Sequence, residues 1–175
     1  RCPPHQIAAK YEEIYPPELR DLVYITDKAY TKQEILKCEE SMLRALNFRV
    51  TIASIHCFLV RYLKAAHADR KMVWLACYIA ERSLQEYSML KYLPSTIASC
   101  AVYLARKNHK RNPWSAILSK HTNYTESALR PCLREVSSIL ISKNKSNLTS
   151  TLKAVKNKYA SPKYGGVANM VLKGI

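Results

Sequence analysis

Apolar residues recur at steps of three and four along most of this chain, and this period constrains the fold more than any other feature of the sequence. The clearest run follows the complete i, i+3, i+4, i+7, i+8 pattern of a one-sided helix: Ile55, Phe58, Leu59, Tyr62 and Leu63. No segment alternates apolar and polar residues as a half-buried strand does, and the chain has only three glycines. The sequence therefore predicts an all-α fold.

Helix start and stop signals divide this pattern into elements. Thr31 with Glu34 three residues later forms a capping box, which predicts a long helix from Thr31 to Asn47. Ser54 and Ser95 are candidate N-caps of two later helices. The predicted helices span residues 5–13, 17–25, 31–47, 54–63, 71–90, 96–107, 113–122 and 125–141, with a weaker one at 148–158. We expect the last ten residues to be loosely held, because Pro162 and Gly165-Gly166 break any regular pattern.

An internal repeat relates the two parts of the chain. The sequence IAAK at 7–10 resembles IASC at 97–100, and YT at 30–31 matches YT at 124–125, at offsets of 90 and 94. In the long helix that follows each YT, the apolar positions correspond pairwise: Ile35 with Leu129, Cys38 with Cys132, Met42 with Val136, and Leu46 with Leu140. The chain therefore contains a duplicated helical module.

Two positions differ in character between the copies. Lys10 corresponds to Cys100, and Glu39 corresponds to Leu133, so the first copy has charges where the second is apolar. At roughly 100° per residue, Glu39 falls inside the apolar stripe of its helix. A buried carboxylate without a partner is costly. Glu39 is therefore predicted either to pair with an internal cation such as Lys10 or to face a cation of another protein.

The second alternative makes Glu39 a polar hot spot on a protein-binding helix face. Leu43, Phe48 and Val50 would then supply most of the contact energy around it.

The net charge of +15 is unevenly distributed. Residues 1–48 contain seven Lys/Arg and eight Asp/Glu, whereas residues 49–175 contain twenty-one and five. Because the basic residues are spread over many helices, we interpret them as solvated helix surface and expect no nucleic-acid binding.

The six cysteines are scattered without a CxxC motif, which favours a reducing, intracellular compartment. No apolar stretch predicts a membrane span.

No pattern of residues predicts catalysis. The sequence has no Walker loop, no GxSxG, no HExxH and no Cys/His cluster with metal-ligand spacing, so we expect no catalytic residue, no metal and no cofactor. Cys2 and His5 enclose two prolines in an end that we expect to be disordered.

Five stretches resemble mitotic cyclins of the A and B types. They are KYEEIYPP at 10–17, YITDKAYTK at 24–32, LPSTIASCAVYLA at 93–105, NYTESAL at 123–129 and VKNKYASPK at 155–163. The resemblance implies a duplicated five-helix cyclin-box fold. It also implies a non-catalytic, monomeric subunit of the nucleus and cytoplasm that binds and activates a cyclin-dependent protein kinase to control G2/M progression.

The resemblance also implies a kinase-binding surface. Lys10 and Glu39 match the charged pair of that surface in the family. Its apolar contacts match Tyr11, Leu43, Phe48 and Val50, and residues near the kinase activation segment match Glu12, Glu13, Ile14 and Tyr15.

The predicted domain organisation follows the repeat. Residues 1–48 form the C-terminal remainder of a first cyclin box, 49–53 a linker, 54–142 a second box, and 143–175 a C-terminal helix and loose tail. We expect the first box to be incomplete, because the family has further helices before the position of Lys10. Two alternatives stay open: a cyclin-fold, DNA-binding general transcription factor, and a truncated, non-functional cyclin fragment.

Overall fold

The computed structural model describes residues 2–141 and 152–170, and within these ranges it contains helices and turns but no strand. The all-α prediction is confirmed. The chain divides into two compact units, Arg1–Ile52 and Ala53–Ile175, called unit 1 and unit 2 below.

Unit 1 contains three helices: α1 (Cys2–Glu12), α2 (Leu19–Ile25) and α3 (Lys32–Ala45). The predicted capping box is present, since Thr31 Oγ1 accepts from Glu34 N at 3.3 Å and Glu34 accepts from Thr31 N at 2.8 Å. These bonds to Thr31 lower the pKa of the Glu34 carboxyl. α3 packs against α1 and α2, and the buried side chains are few: Gln6, Ala9, Leu22, Ile35 and Glu39.

The start of α1 corrects one expectation. Residues 2–5 were predicted to be disordered, but α1 begins at Cys2 and includes both prolines. Proline is tolerated there because the first backbone N–H groups of a helix have no partner within it.

Unit 2 is built around one buried helix. Its helices are α4 (Ile55–Ala65), α5 (Arg70–Ser83), α6 (Pro94–Asn108), α7 (Ala116–Thr122) and α8 (Glu126–Ile141). Every residue of α6 from Ile97 to Ala105 is buried, and α4, α5 and α8 pack around it. A helix that is apolar on all sides needs such a complete enclosure.

Two helix boundaries differ from the prediction. The helix expected at 71–90 ends at Ser83, whose Oγ donates to Ala80 O at 2.7 Å, and a separate 3-10 turn spans Tyr87–Lys91. α6 begins at Pro94, one residue before the predicted cap Ser95. Proline is favoured in this first turn, and the Ser95 hydroxyl instead bonds to the Tyr124 hydroxyl at 2.9 Å.

Several helices end without glycine. Lys28, Phe48, Ala68 and Arg111 each donate their backbone N–H to the carbonyl five residues back, at 2.8–3.1 Å. This is the bond of a Schellman motif, in which one residue adopts a left-handed conformation. His67 (φ 46°) and Lys110 (φ 56°) adopt it after α4 and α6. Both turns are sharp and leave these two side chains exposed.

The structure shows the repeat directly. α1, α2 and α3 correspond to α6, α7 and α8, with α2 and α7 both seven residues long. In unit 2, α5 also packs against α8, so that Cys132 is buried. In unit 1 the equivalent Cys38 is exposed, because no further described helix of this unit covers that part of the stripe.

The C-terminal segment packs against α5. It comprises α9 (Ala154–Ala160) and 3-10 turns at Pro162–Tyr164 and Val167–Asn169. Lys158 and Tyr159 both donate to the Glu81 carboxylate at 2.7 Å. The pKa of Tyr159 is raised mainly by burial of the hydroxyl and also by its hydrogen bond to Glu81. Val167 is buried, so the expectation that the last ten residues are loose is wrong for this part. The helix predicted at 148–158 lies partly outside the described residues.

We expect Gly165→Ala to destabilise unit 2 more than Gly166→Ala. Both glycines have a left-handed conformation, which costs other residues about 1–2 kcal/mol. A Cβ on Gly165 would additionally lie 2.9 Å from the Trp74 ring, whereas one on Gly166 meets nothing closer than 3.8 Å. Urea unfolding followed by tryptophan fluorescence measures the difference, and an equal loss in both variants would contradict the tight contact.

Candidate functional site

The most distinctive cluster in unit 1 is an ion pair between α1 and α3. Lys10 Nζ lies 2.7 Å from Glu39 Oε1 and 2.9 Å from Oε2. The Glu39 side chain is only 10% exposed, whereas that of Lys10 is 47% exposed. Of the two alternatives for Glu39, the structure has the internal pair, and about half of the Lys10 side chain remains exposed.

Gln6 completes this pair and was missed by sequence reasoning. Its Nε2 donates to Glu39 Oε2 at 3.1 Å, and the side chain is fully buried. Its Oε1 oxygen accepts no hydrogen bond from the described residues. The spacing could have revealed it, because Gln6 lies one helical turn before Lys10 and therefore on the same face of α1.

A second contact joins α1 to the segment after α3. The Tyr11 hydroxyl donates to Thr51 Oγ1 at 2.9 Å, and Thr51 directly follows Val50 in the chain. The backbone N–H of Phe48 donates to Leu43 O at 2.8 Å, and the residue as a whole is 65% exposed. No sequence pattern predicted Thr51 as a partner, because the contact depends on the turn that follows α3.

Four predicted site residues lie at the end of α1 and just beyond it. Glu12 is the last residue of α1, and Glu13 donates its backbone N–H to Ala9 O at 2.8 Å. Ile14 and Tyr15 follow and are among the most exposed apolar side chains of the described chain.

Six of the ten predicted site residues lie on α1, on α3 and in the segment that follows α3, and hydrogen bonds link these three parts of unit 1. They are Lys10, Tyr11, Glu39, Leu43, Phe48 and Val50. The remaining four are the last residue of α1 and the three residues after it: Glu12, Glu13, Ile14 and Tyr15. We call all ten the docking surface.

The docking surface combines a charged pair with exposed aromatic and aliphatic side chains. Among residues 2–141 and 152–170, no group of His, Cys, Asp and Glu side chains could hold a metal ion. No helix in the same ranges is both long and apolar enough to cross a membrane.

Comparison with known protein families agrees with this fold. The model for the N-terminal domain of cyclins matches residues 6–51, and the model for the C-terminal domain of cyclins matches residues 53–172. The chain therefore belongs to the cyclin family.

Its relatives include plant cyclins of the A and B types. It is 42% identical to Cyclin-A1-4 of Oryza sativa subsp. japonica, over 93% of this chain and 46% of that protein. It is 38% identical to Cyclin-B1-5 of the same plant, over 93% of this chain and 35% of that protein. G2/mitotic-specific cyclin-1 of Medicago sativa subsp. varia is 40% identical, over 93% and 37%. The chain spans less than half the length of these relatives.

The contribution of the Lys10–Glu39 pair to stability can be measured by replacing it with the residues found at the equivalent positions of the second copy, Cys100 and Leu133. We expect Lys10→Cys alone to destabilise the α1–α3 packing by about 1–3 kcal/mol, because it leaves the buried Glu39 carboxylate without its cation. Lys10→Cys with Glu39→Leu should cost less than the sum of the single changes, because both charges are removed together. Hydrogen exchange of the α1 and α3 amides measures local opening, and additive losses would contradict a coupled pair.

Proposed function

We propose that this chain binds and activates a cyclin-dependent serine/threonine kinase and so controls G2/M progression, as a non-catalytic subunit. The observation that carries the proposal is the Lys10–Glu39 pair within the docking surface of unit 1. Cyclins are regulatory subunits of protein kinases, and the name of one relative specifies a G2/mitotic role. We also propose that it acts in the nucleus and cytoplasm as a single copy.

Lys10 is the member of the pair that reaches a partner. Glu39 holds its ammonium group from the buried side, while about half of the lysine side chain remains accessible. An ammonium group has three donors, so Lys10 can bond to an acceptor of the kinase while it keeps Glu39. In this proposal Glu39 and Gln6 position Lys10, which makes the contact.

The apolar side chains of the docking surface supply most of the area that would contact the kinase. Phe48, Tyr15 and Ile14 are largely exposed, although such side chains are normally buried. Their exposure in the same unit as the Lys10–Glu39 pair supports a partner with a complementary apolar surface.

Activation then follows from selective binding. A partner that fits only the active arrangement of a kinase shifts its population toward that arrangement by the difference in affinity. The chain needs no catalytic residue of its own for this effect.

We expect the charge-exchanged variant Lys10→Glu/Glu39→Lys to lose kinase binding by at least about tenfold. The exchange keeps an internal ion pair but presents a negative charge to the kinase, and misplaced like charges in an interface cost several kcal/mol. Pull-down of a purified cyclin-dependent kinase, followed by a kinase assay, measures the loss.

The matched control is Arg44→Glu/Glu40→Arg. Arg44 and Glu40 lie on α3, as Glu39 does, and form an ion pair 2.7 Å apart, but both of their side chains are well exposed. It should bind the kinase as the unaltered chain does. Equal binding by both exchanged variants, or a folded unaltered chain that neither binds nor activates a kinase, would refute the proposal.

We expect Phe48→Asn to weaken kinase binding about tenfold or more without loss of fold. Asparagine tolerates the left-handed conformation of this position (φ 56°), so the change removes the ring and little else. Tyr87→Asn, which removes an aromatic ring that is 88% exposed in unit 2, is the control. Titration of both variants against the kinase by calorimetry should separate them, and unchanged affinity for Phe48→Asn would remove Phe48 from the interface.

A further inference from the structure

The kinase proposal leaves the strong positive charge of unit 2 unexplained. Much of this charge lies in two short stretches, residues 61–71 and 106–111, which contain eight Lys/Arg and one acidic residue, Asp69. The first stretch joins α4 to α5, and the second ends α6 and begins the following loop.

The fold brings these two stretches together. Arg106 Nη1 donates to Ala66 O at 2.9 Å, and Arg111 Nη1 donates to His67 O at 3.1 Å. Arg111 also lies 3.8 Å from the carboxylate of Asp69. Burial and the nearby Arg111 lower the pKa of Arg106, as expected where positive charges are crowded. One end of unit 2 is therefore strongly basic, although its residues are distant in sequence.

Part of this positive charge lies at the N-terminal end of α5, where it destabilises the helix. α5 begins with Arg70 and Lys71, and among the described residues the acidic group at this helix start is the N-cap Asp69, whose Oδ1 accepts from Met72 N at 3.0 Å. The N-terminal end of a helix carries partial positive charge and is stabilised by acidic side chains, so two cations there are unfavourable. A negatively charged ligand would offset this cost.

An apolar groove adjoins the basic end. Val60, Leu63, Ala68 and Val73 line it between α4 and α5, with a volume of about 390 Å³, and Lys64 and His67 complete the lining. A second groove on the other side of α4 shares Val60 and Lys64 and includes Arg61 and His121. An aliphatic floor with cations beside it suits a ligand that is both apolar and acidic.

We infer that this basic groove binds an acidic segment of another protein. One apolar side chain of that segment occupies the α4–α5 groove, and its flanking carboxylates bind Lys64 of the groove and the cations of the adjoining basic end, Arg70, Lys110 and Arg111. A protein segment is favoured over nucleic acid because the floor is aliphatic and offers no stacking platform for bases. The ligand contacts only unit 2, so the inference does not depend on the docking surface of unit 1.

The probe is a fluorescein-labelled peptide of Asp and Glu around one central Leu, titrated with the full chain by fluorescence anisotropy. We expect Lys64→Glu/Lys110→Glu to weaken its binding at least about tenfold. Lys64 lines the groove, and Lys110 is an exposed cation of the adjoining basic end, next to Arg111, which bonds to the groove residue His67. The matched control is Lys153→Glu/Lys156→Glu, which makes the same change in net charge at two other exposed lysines of unit 2. This control should lose little affinity.

Two further arms identify what the groove recognises. Replacement of the central Leu of the peptide by Ala should weaken binding several-fold, and a DNA duplex should bind less tightly than the peptide at about 0.15 M salt. The inference is overturned if the peptide does not bind, if both double variants lose affinity equally, or if the Leu makes no difference. Tighter binding of the duplex would overturn it in favour of nucleic acid.

Discussion

Complete burial of one helix determines how unit 2 is built. Nine consecutive residues of α6, from Ile97 to Ala105, are shielded from water, so helices must cover it on every side. α4, α5 and α8 do so, and the N–H and C=O groups within α6 are satisfied by the helix itself. Small residues at Ala98, Ala101 and Ala105 leave room for close packing of the surrounding helices.

The same constraint is only partly met in unit 1. α1 corresponds to α6, but within residues 2–52 only α3 packs extensively against it. Cys38 of α3 and Leu46, which directly follows α3, are therefore exposed, whereas the equivalent Cys132 is buried and Leu140 is half-buried. The apolar surface of unit 1 is thus a consequence of the repeat: the stripe of a core helix is retained, and no other described helix of unit 1 covers part of it. Exposed apolar stripes of this kind are available to a partner protein.

Local signals predicted most of the fold, whereas contacts between distant residues limited the prediction of the site. The capping box at Thr31 and the apolar period after Ile55 depend on neighbours in sequence, and both gave the right helices. Ser83 ended α5 early through a bond to its own helix, which competes with an apolar pattern that would continue to Leu90. The Lys10–Glu39 pair was open as one of two alternatives because helical spacing gives the face of a residue but not its partner. Thr51 and the basic groove depend on turns after α3, α4 and α6, whose geometry no residue pattern specified.

The two copies of the module differ at the positions of Lys10 and Glu39, and this difference favours a functional role for the ion pair. In unit 2 the equivalent positions are Cys100 and Leu133, both buried, and they show that this helix pair can pack without charge. A buried ion pair rarely stabilises a fold more than well-packed apolar residues do, because desolvation offsets most of the attraction. Unit 1 therefore gains little stability from Lys10 and Glu39. What it gains is a lysine side chain that is held by Glu39 and still about half exposed, and in our proposal this donor, which an apolar pair cannot provide, bonds to the partner.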